Sequence, residues 1–413
     1  MRSVEEHLEA ILAGVAPLPP LSQPLLDALD LAAAEPITSP LALPRFDNSA
    51  MDGYAVRQRD VAGATADAPV TLPVVGEIGA GQAEGAPRRL EPGTATKIMT
   101  GARLPEGADA VVPYEWTDKG AQQVVVSQAP DVGQHLRYTG EDVAVGDVLV
   151  EAGDALGPRQ LGLLASTGHS HVRVHPRPRV VILSTGSELR DPGSALGEDS
   201  IYDGNSYLLA GAARRLGALP SRVGLVPDDP ARFLEVLRDQ VGRADAIITS
   251  GGISMGDFDV VKEALSPLGS IWFGGVAMQP GKPQGFGALE GTGGRTVPFF
   301  ALPGNPVSAY LSFEIFVRPA LRTMMGLTPV SRQPVRARLT HGVTSPRGRR
   351  QFLRGRLTVD ADGTRVTEVA PVGGSGSHLV GDLAASDALI VVPEADTVVE
   401  AGAQVTVIRL DQE

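Results

Sequence analysis

The sequence predicts a multidomain α/β-plus-β protein: a central parallel α/β domain, an inserted β-rich domain and a C-terminal β-barrel-like domain. Strand patterns alternating with helical ones over residues 179–265 predict the parallel sheet, with helices on both faces. Short β-rich runs with many Gly and Pro turns over residues 46–140, flanked by helical patterns on either side, predict the insertion. A tail carrying only strand patterns, from residue 335 to residue 409, predicts the terminal β domain.

Each element has a local reason. Ser3-Val4-Glu5-Glu6 is a capping box, and Val4, Leu8, Ile11, Leu12 and Val15 follow at helical spacing. Residues 1–45 read as two helices joined by the proline-rich segment 16–24. Helical character returns at 158–167, so 1–45 and 141–175 form one N-terminal domain around the insertion at 46–140. Pro176 and Pro178 open the α/β domain, 176–326. Its strands are 179–184, 223–226 and 246–249, and its helices 205–216, 230–240 and 259–265. A last helix follows Pro303-Gly304-Asn305-Pro306 and runs to about Met325. The β domain, 333–413, holds strands at 335–339, 351–359, 388–392 and 404–409.

Composition narrows the function. A net charge of −12 argues against nucleic acid or an anionic membrane as partner. The absence of cysteine removes thiol nucleophiles, disulfides, iron–sulfur clusters and cysteine-ligated zinc. Seven histidines without ligand spacing make a structural transition-metal site unexpected; His169-Ser170-His171 reads as a strand edge. With no signal peptide and no apolar run long enough to span a bilayer, the expected location is the cytoplasm.

The clearest chemical signal is residues 247–257, a strand followed by the glycine turn Gly251-Gly252 and a helix entry. Glycines there let backbone N–H groups approach a ligand, and a helix N-terminus favours an anion. The Thr185-Gly186 and Pro303-Gly304-Asn305 turns also follow strands, where ligands of such sheets bind. Any one of them reads as a tight turn; three at successive strand ends read as a binding crevice. Glu188, Asp228, Asp257 and Asp259 accompany the turns. Singly each reads as a helix cap or surface charge, and together they suit Mg²⁺ bridging to a phosphate. Lys282, one of only four lysines with Lys97, Lys119 and Lys262, offers positive charge to an anion. Asp52-Gly53 reads as a hairpin turn.

At these residues the sequence resembles the molybdopterin molybdenumtransferases, the MoeA family, whose eukaryotic counterpart is the C-terminal part of gephyrin. The matching segments are 48–55 (NSAMDGYA), 98–114 (IMTGARLPEGADAVVPY), 140–143 (GEDV), 184–189 (STGSEL), 250–259 (SGGISMGDFD), 280–283 (PGKP) and 302–308 (LPGNPVS). Each is weak alone; seven in order across 48–308 are specific.

The resemblance implies a homodimer of four-domain subunits, in which the β-rich block of one subunit faces the α/β, molybdopterin-binding domain of the other. It implies adenylylated molybdopterin and molybdate as substrates, Mg²⁺ as cofactor, and molybdenum cofactor and AMP as products. By resemblance, Asp52, Thr100, Asp142, Glu188 and Lys282 are catalytic. Asp228, Gly251, Gly252, Ser254, Asp257, Asp259, Pro303 and Asn305 bind substrate, and Arg350, Ser375 and Ser377 bind molybdate. Asp52, Asp142, Glu188 and Asp259 hold the metal. A molybdopterin adenylyltransferase and molybdenum apoenzymes are the further partners it suggests. Three departures stand out: Gln279 and Gly275, where the family often carries lysine, and Asp203-Gly204-Asn205 in place of Asp-Ser-Asn.

Two other classes compete with the insertase. A non-catalytic cofactor carrier or scaffold is favoured by Gln279 and Gly275, yet has no need of Asp52, Asp142, Glu188 and Lys282 together. Another enzyme on the same α/β domain, an adenylyltransferase or a nucleotide-pyrophosphate hydrolase, leaves the Asp52 and Thr100 segments unexplained.

Overall fold

The computed structural model describes residues 1–81, 89–253, 259–360, 362 and 365–410. Its centre is a six-stranded sheet in the order Leu219–Val226, Arg179–Thr185, Ala246–Ser250, Thr296–Leu302, Pro283–Glu290 and Ile271–Gly275. The first four strands are parallel. Pro283–Glu290 runs antiparallel to both its neighbours, Thr296–Leu302 and Ile271–Gly275, an edge that the parallel reading lacked. Glycines had obscured these strands, and the structure uses them: at Gly287 a Cβ would lie 2.7 Å from the Ile271 Cα, so only glycine lets the pair close up.

Successive residues of the strand Arg179–Thr185 enter two cores. Val180 and Ile182 join one face, and Val181 and Leu183 the other, which is why the strand reads as an unbroken apolar run. The helices Asn205–Arg215, Pro230–Val241 and Val260–Leu265 cross between strands. The helix after Pro303-Gly304-Asn305 continues through a π turn at Phe313–Val317 and ends at Arg318–Met324. Glu314 in that turn is buried, 2.7 Å from Arg332 and 3.9 Å from Arg318.

The capping box forms as expected, with Ser3 and Glu6 exchanging both bonds. The helix it starts, Val4–Ala13, packs Val4 and Ile11 into the sheet core beside Phe316. The second N-terminal helix is absent. Leu21–Pro24 pairs instead with His171–Val174, and a 3₁₀ turn, Leu25–Ala28, follows. Beyond Pro24, prolines at 36, 40 and 44 cut the segment too short for a sustained helix, since each lacks the N–H that a helix interior needs.

His7 lies under Trp272 and Phe316, with ring centroids at 5.0 and 4.7 Å, and its Nδ1 has no hydrogen-bond partner among the described residues. Burial first, and the Arg2 charge second, push its imidazole down to about 4. The folded chain therefore keeps His7 neutral, while the unfolded chain protonates it near 6.5. Its contribution is complete above pH 6.5, falls as the pH drops towards 4, and is gone below. Across that window the loss should approach ~3 kcal/mol. Melting temperature against pH should show this slope, and a His7→Leu chain should lack that part of it; equal slopes would refute the assignment.

In the β-rich block five strands lie in the order Ala110–Pro113, Gly53–Val56, Ala95–Ile98, Val70–Ile78 and Gln123–Val126. Gly53 is a strand residue here, not part of a hairpin turn. A Cβ at Gly53 would lie 2.9 Å from the Pro113 Cα, so the glycine serves close strand approach.

The C-terminal strands close into a barrel. Arg350–Val359, Val366–Pro371, Val335–Leu339, Gln404–Arg409 and Ala388–Val392 pair in turn, and the last returns to the first. Val366–Pro371 and a short helix, Val380–Ala384, were not legible in the tail. Met278–Gln279 adds alongside Arg350 and Gln351, fastening the barrel to the α/β unit. No helix among the described residues is long and apolar enough to cross a membrane.

Candidate functional site

Three turns at the carboxyl ends of parallel strands meet. The Gly251 N–H donates to the Leu302 carbonyl at 3.1 Å, and a Cβ on Gly251 would lie 2.8 Å from the Thr185 oxygen and 3.2 Å from its hydroxyl. Gly251 and Gly252 hold φ of +96° and +69°, a left-handed backbone that side chains resist. Ser250 donates to the Pro303 carbonyl at 3.3 Å, and Asn205 donates to Ser250 at 2.9 Å and to the Gly304 carbonyl at 2.6 Å. Asn305 stands at the N-cap position of the next helix at the same place, without a side-chain capping bond. The three turns expected to line a crevice thus touch one another. Thr185 and Thr249 contribute buried hydroxyls without a hydrogen-bond partner among the described residues.

Two acids sit at its rim. Gly186, at φ +150°, leaves space that a Cβ would take from the Glu188 carboxylate, whose oxygens lie 2.6 and 2.8 Å from that position. Asp228 accepts both the Ser187 N–H, at 2.8 Å, and its hydroxyl, at 2.9 Å, which draws Asp228 beside Glu188. Asp259 is half-buried at the start of Val260–Leu265. Ser254 and Asp257 lie outside the described residues.

Lys282 opens onto a cleft of about 110 Å³ shared with Lys262, Ile253, Phe273 and Gln284. Two of the four lysines therefore converge there, and Lys262 had not been singled out in the sequence. A Cβ on Gly275 would lie 3.4 Å from the Lys282 Cε, so glycine leaves that stem room. Gln284, buried, donates to the Gly281 carbonyl at 2.7 Å and to Ser312 at 2.6 Å, and so holds the turn that presents Lys282.

The barrel reaches the crevice through one loop. The Ser377 carbonyl accepts the Val307 N–H at 3.1 Å, in the first turn of the helix after Asn305. Ser375, two residues earlier, is exposed. Arg350 is bound to Glu5 and, at 3.0 Å, to Glu394, so two carboxylates compete with any anion for it.

Asp52 and Thr100 form a separate pair. One Asp52 oxygen accepts both the Thr100 N–H and its hydroxyl, each at 2.7 Å. The backbone N–H first, and the hydroxyl second, hold the Asp52 carboxyl below its ordinary range. Asp47 repeats the arrangement with Thr139, at 2.7 Å for both bonds, which no sequence signal distinguished. Asp142 is exposed, and its N–H donates to the Leu43 carbonyl at 3.0 Å. Among the described residues, the hydrogen bonds of Asp52, Thr100 and Asp142 do not leave residues 43–142. Nor do any three acids or histidines among the described residues stand close enough to share a metal ion. Within one chain, Asp52, Asp142, Glu188 and Asp259 therefore form no such group.

Residues 2–168 match the MoeA N-terminal region (domain I and II). Residues 181–323 match a probable molybdopterin binding domain, and 336–410 the MoeA C-terminal region (domain IV). The chain is 45% identical over 413 residues to molybdopterin molybdenumtransferase 2 of Mycobacterium tuberculosis, covering 98% of this chain and 99% of that one. It is 38% identical to the molybdopterin molybdenumtransferase of Haemophilus influenzae over 93% of this chain and 92% of that one. Among solved structures, a molybdopterin biosynthesis MoeA protein from Pyrococcus horikoshii superposes with a TM-score of 0.85 at 32% identity, covering 100% of this chain and 99% of that one.

Proposed function

Since the chain belongs to the MoeA family and is a molybdopterin molybdenumtransferase of molybdenum cofactor biosynthesis, we propose that it converts adenylylated molybdopterin and molybdate into molybdenum cofactor and releases AMP. The observation that carries this reading is the joining of the Gly251, Gly186 and Pro303 turns into one crevice, with Glu188 and Asp228 on its rim and Lys282 and Lys262 on a neighbouring cleft.

The residues divide the work by charge. With the Gly251 N–H bound to Leu302, the backbone N–H at Gly252 is the one that suits a phosphate, and Asn205 fixes the turn opposite. Lys282 and Lys262 offset the negative charge that grows when a pyrophosphate bond breaks. Hard carboxylate oxygens at Glu188 and Asp259 suit Mg²⁺, which needs only one or two protein carboxylates beside substrate phosphates and water. When bound there, Mg²⁺ polarises phosphoryl oxygens. Molybdate, a dianion, would lie at Ser375 and Ser377, with Arg350 joining after exchange with Glu5 or Glu394.

A homodimer supplies what one chain lacks. The exposed Asp52–Thr100 pair and Asp142 of one subunit would face Glu188, Asp228 and Asp259 of another, which accounts for their separation within a single chain. An adenylyltransferase that hands over substrate and apoenzymes that accept product are the partners this chemistry calls for.

The test is AMP release from adenylylated molybdopterin with Mg²⁺, with and without molybdate. Release that molybdate stimulates at least tenfold, a barrier change of ~1.4 kcal/mol, is expected. Tight binding with no release would leave a carrier; release indifferent to molybdate would leave a hydrolase.

A further inference from the structure

Arg354 lies in the barrel strand Arg350–Val359 and is only 2% exposed. Its two terminal nitrogens donate to the Gly376 carbonyl, at 3.1 Å, and to the Gly374 carbonyl, while Nε has no partner among the described residues. These acceptors are neutral, and the Asp382 carboxylate acts on its charge only from beyond ion-pair distance. A buried guanidinium held this way costs stability relative to an apolar side chain. A barrel wall built for stability alone would not place it there.

Its effect is on the loop. In a trans peptide the C=O and the following N–H point in opposite directions. With the Gly374 and Gly376 carbonyls turned onto Arg354, the N–H groups of Ser375 and Ser377 turn away from it. Neither N–H, and neither serine hydroxyl, makes a hydrogen bond among the described residues. Two N–H groups on one side of the loop, beside two hydroxyls, are four donors that an oxyanion can use. The loop is also joined to the crevice, since the Ser377 carbonyl accepts the Val307 N–H.

We infer that Arg354 is a positioning residue for molybdate: by gripping the Gly374 and Gly376 carbonyls it aims the Ser375 and Ser377 N–H groups outward as an oxyanion cradle. The anion never touches Arg354. This rests on the reading of Ser375 and Ser377 as the molybdate site. A planar fork holds two carbonyls at once, which an ammonium does less well. Lysine in its place should therefore keep part of the function and glutamine little.

The experiment is equilibrium dialysis of radiolabelled molybdate against the full chain, with affinity for the pterin substrate and melting temperature measured in parallel. Arg354→Gln should weaken molybdate about tenfold or more and change pterin affinity less than twofold. Arg354→Lys should fall between Arg354→Gln and wild type, and it serves alone if Arg354→Gln does not fold; wild-type molybdate affinity in Arg354→Lys then overturns the inference. Equal losses for both ligands, or a lowered melting temperature with molybdate binding intact, make Arg354 a packing residue and also overturn it. A Ser375→Ala/Ser377→Ala double variant separates the two levels. If it weakens molybdate while Arg354→Gln does not, the clamp fails and the site stands; if neither moves molybdate, the site reading fails as well.

Discussion

Asp52→Asn is expected to fold normally and to lose about a hundredfold or more of molybdate-dependent turnover, the scale on which removal of one charge-stabilising group acts. Asparagine keeps a carbonyl oxygen where the Asp52 oxygen accepts the Thr100 N–H and hydroxyl. Both bonds can persist, so the 52–100 turn should hold and the melting temperature should stay at the wild-type value. Only the negative charge is lost, and those same bonds keep that charge on the carboxyl well into acid. Thr100→Val, which removes one of the two bonds, should lie between the two. Wild-type turnover in Asp52→Asn would remove this pair from the site. The shared-site arrangement can be tested on the same protein. Asp52→Asn and Glu188→Gln subunits, each inactive alone, should regain about a quarter of wild-type activity when mixed as a two-fold dimer. No recovery would mean that both residues serve one chain's site.

Glu314→Ala should have the largest effect on stability, about 3–5 kcal/mol, because it leaves buried cations without their carboxylate. Glu314, Arg318 and Arg332 are each nearly covered, and Glu314 lies 2.7 Å from Arg332 and 3.9 Å from Arg318. The neighbouring Tyr310 hydroxyl is pushed upward by burial and then by the Glu314 charge, which marks a low-dielectric site. The cluster joins the π turn Phe313–Val317 to the segment that leads into the barrel. Its loss should loosen the helix that begins at the Pro303 turn, so the melting temperature should fall by ~10 °C. Glu314→Gln, which keeps the shape without the charge, should cost less. A shift of only a degree or two in Glu314→Ala would mean that the arginines find full compensation elsewhere.

Much of the site could be read from order alone. The Gly251-Gly252 turn, the Thr185-Gly186 turn and the Pro303-Gly304-Asn305 turn each follow a strand, and the pattern alone placed them at one sheet edge. Asn205, Gln284 and Arg354 were not legible as site residues. Asparagine, glutamine and arginine carry no local signal that tells a surface side chain from one bonded to a carbonyl up to 99 residues away.

The sequence by itself determined the alternating core of the α/β sheet, the capped first helix, the family, and the turns able to approach a phosphate. All of these depend on local periodicity, turn chemistry and motif order. Tertiary structure decided the rest. The glycine-broken strands Ile271–Gly275 and Pro283–Glu290 exist because backbones meet closely at Gly287. The end of the proline-rich joiner, Leu21–Pro24, became a strand because His171–Val174 pairs with it. The barrel closed because Ala388–Val392 pairs back onto Arg350–Val359. Which acids share a site was likewise a matter of distance: the structure gathers Glu188 and Asp228 through Ser187 and holds Asp52 with Thr100 elsewhere. Such long-range register depends on how whole surfaces pack, and no window of sequence contains it.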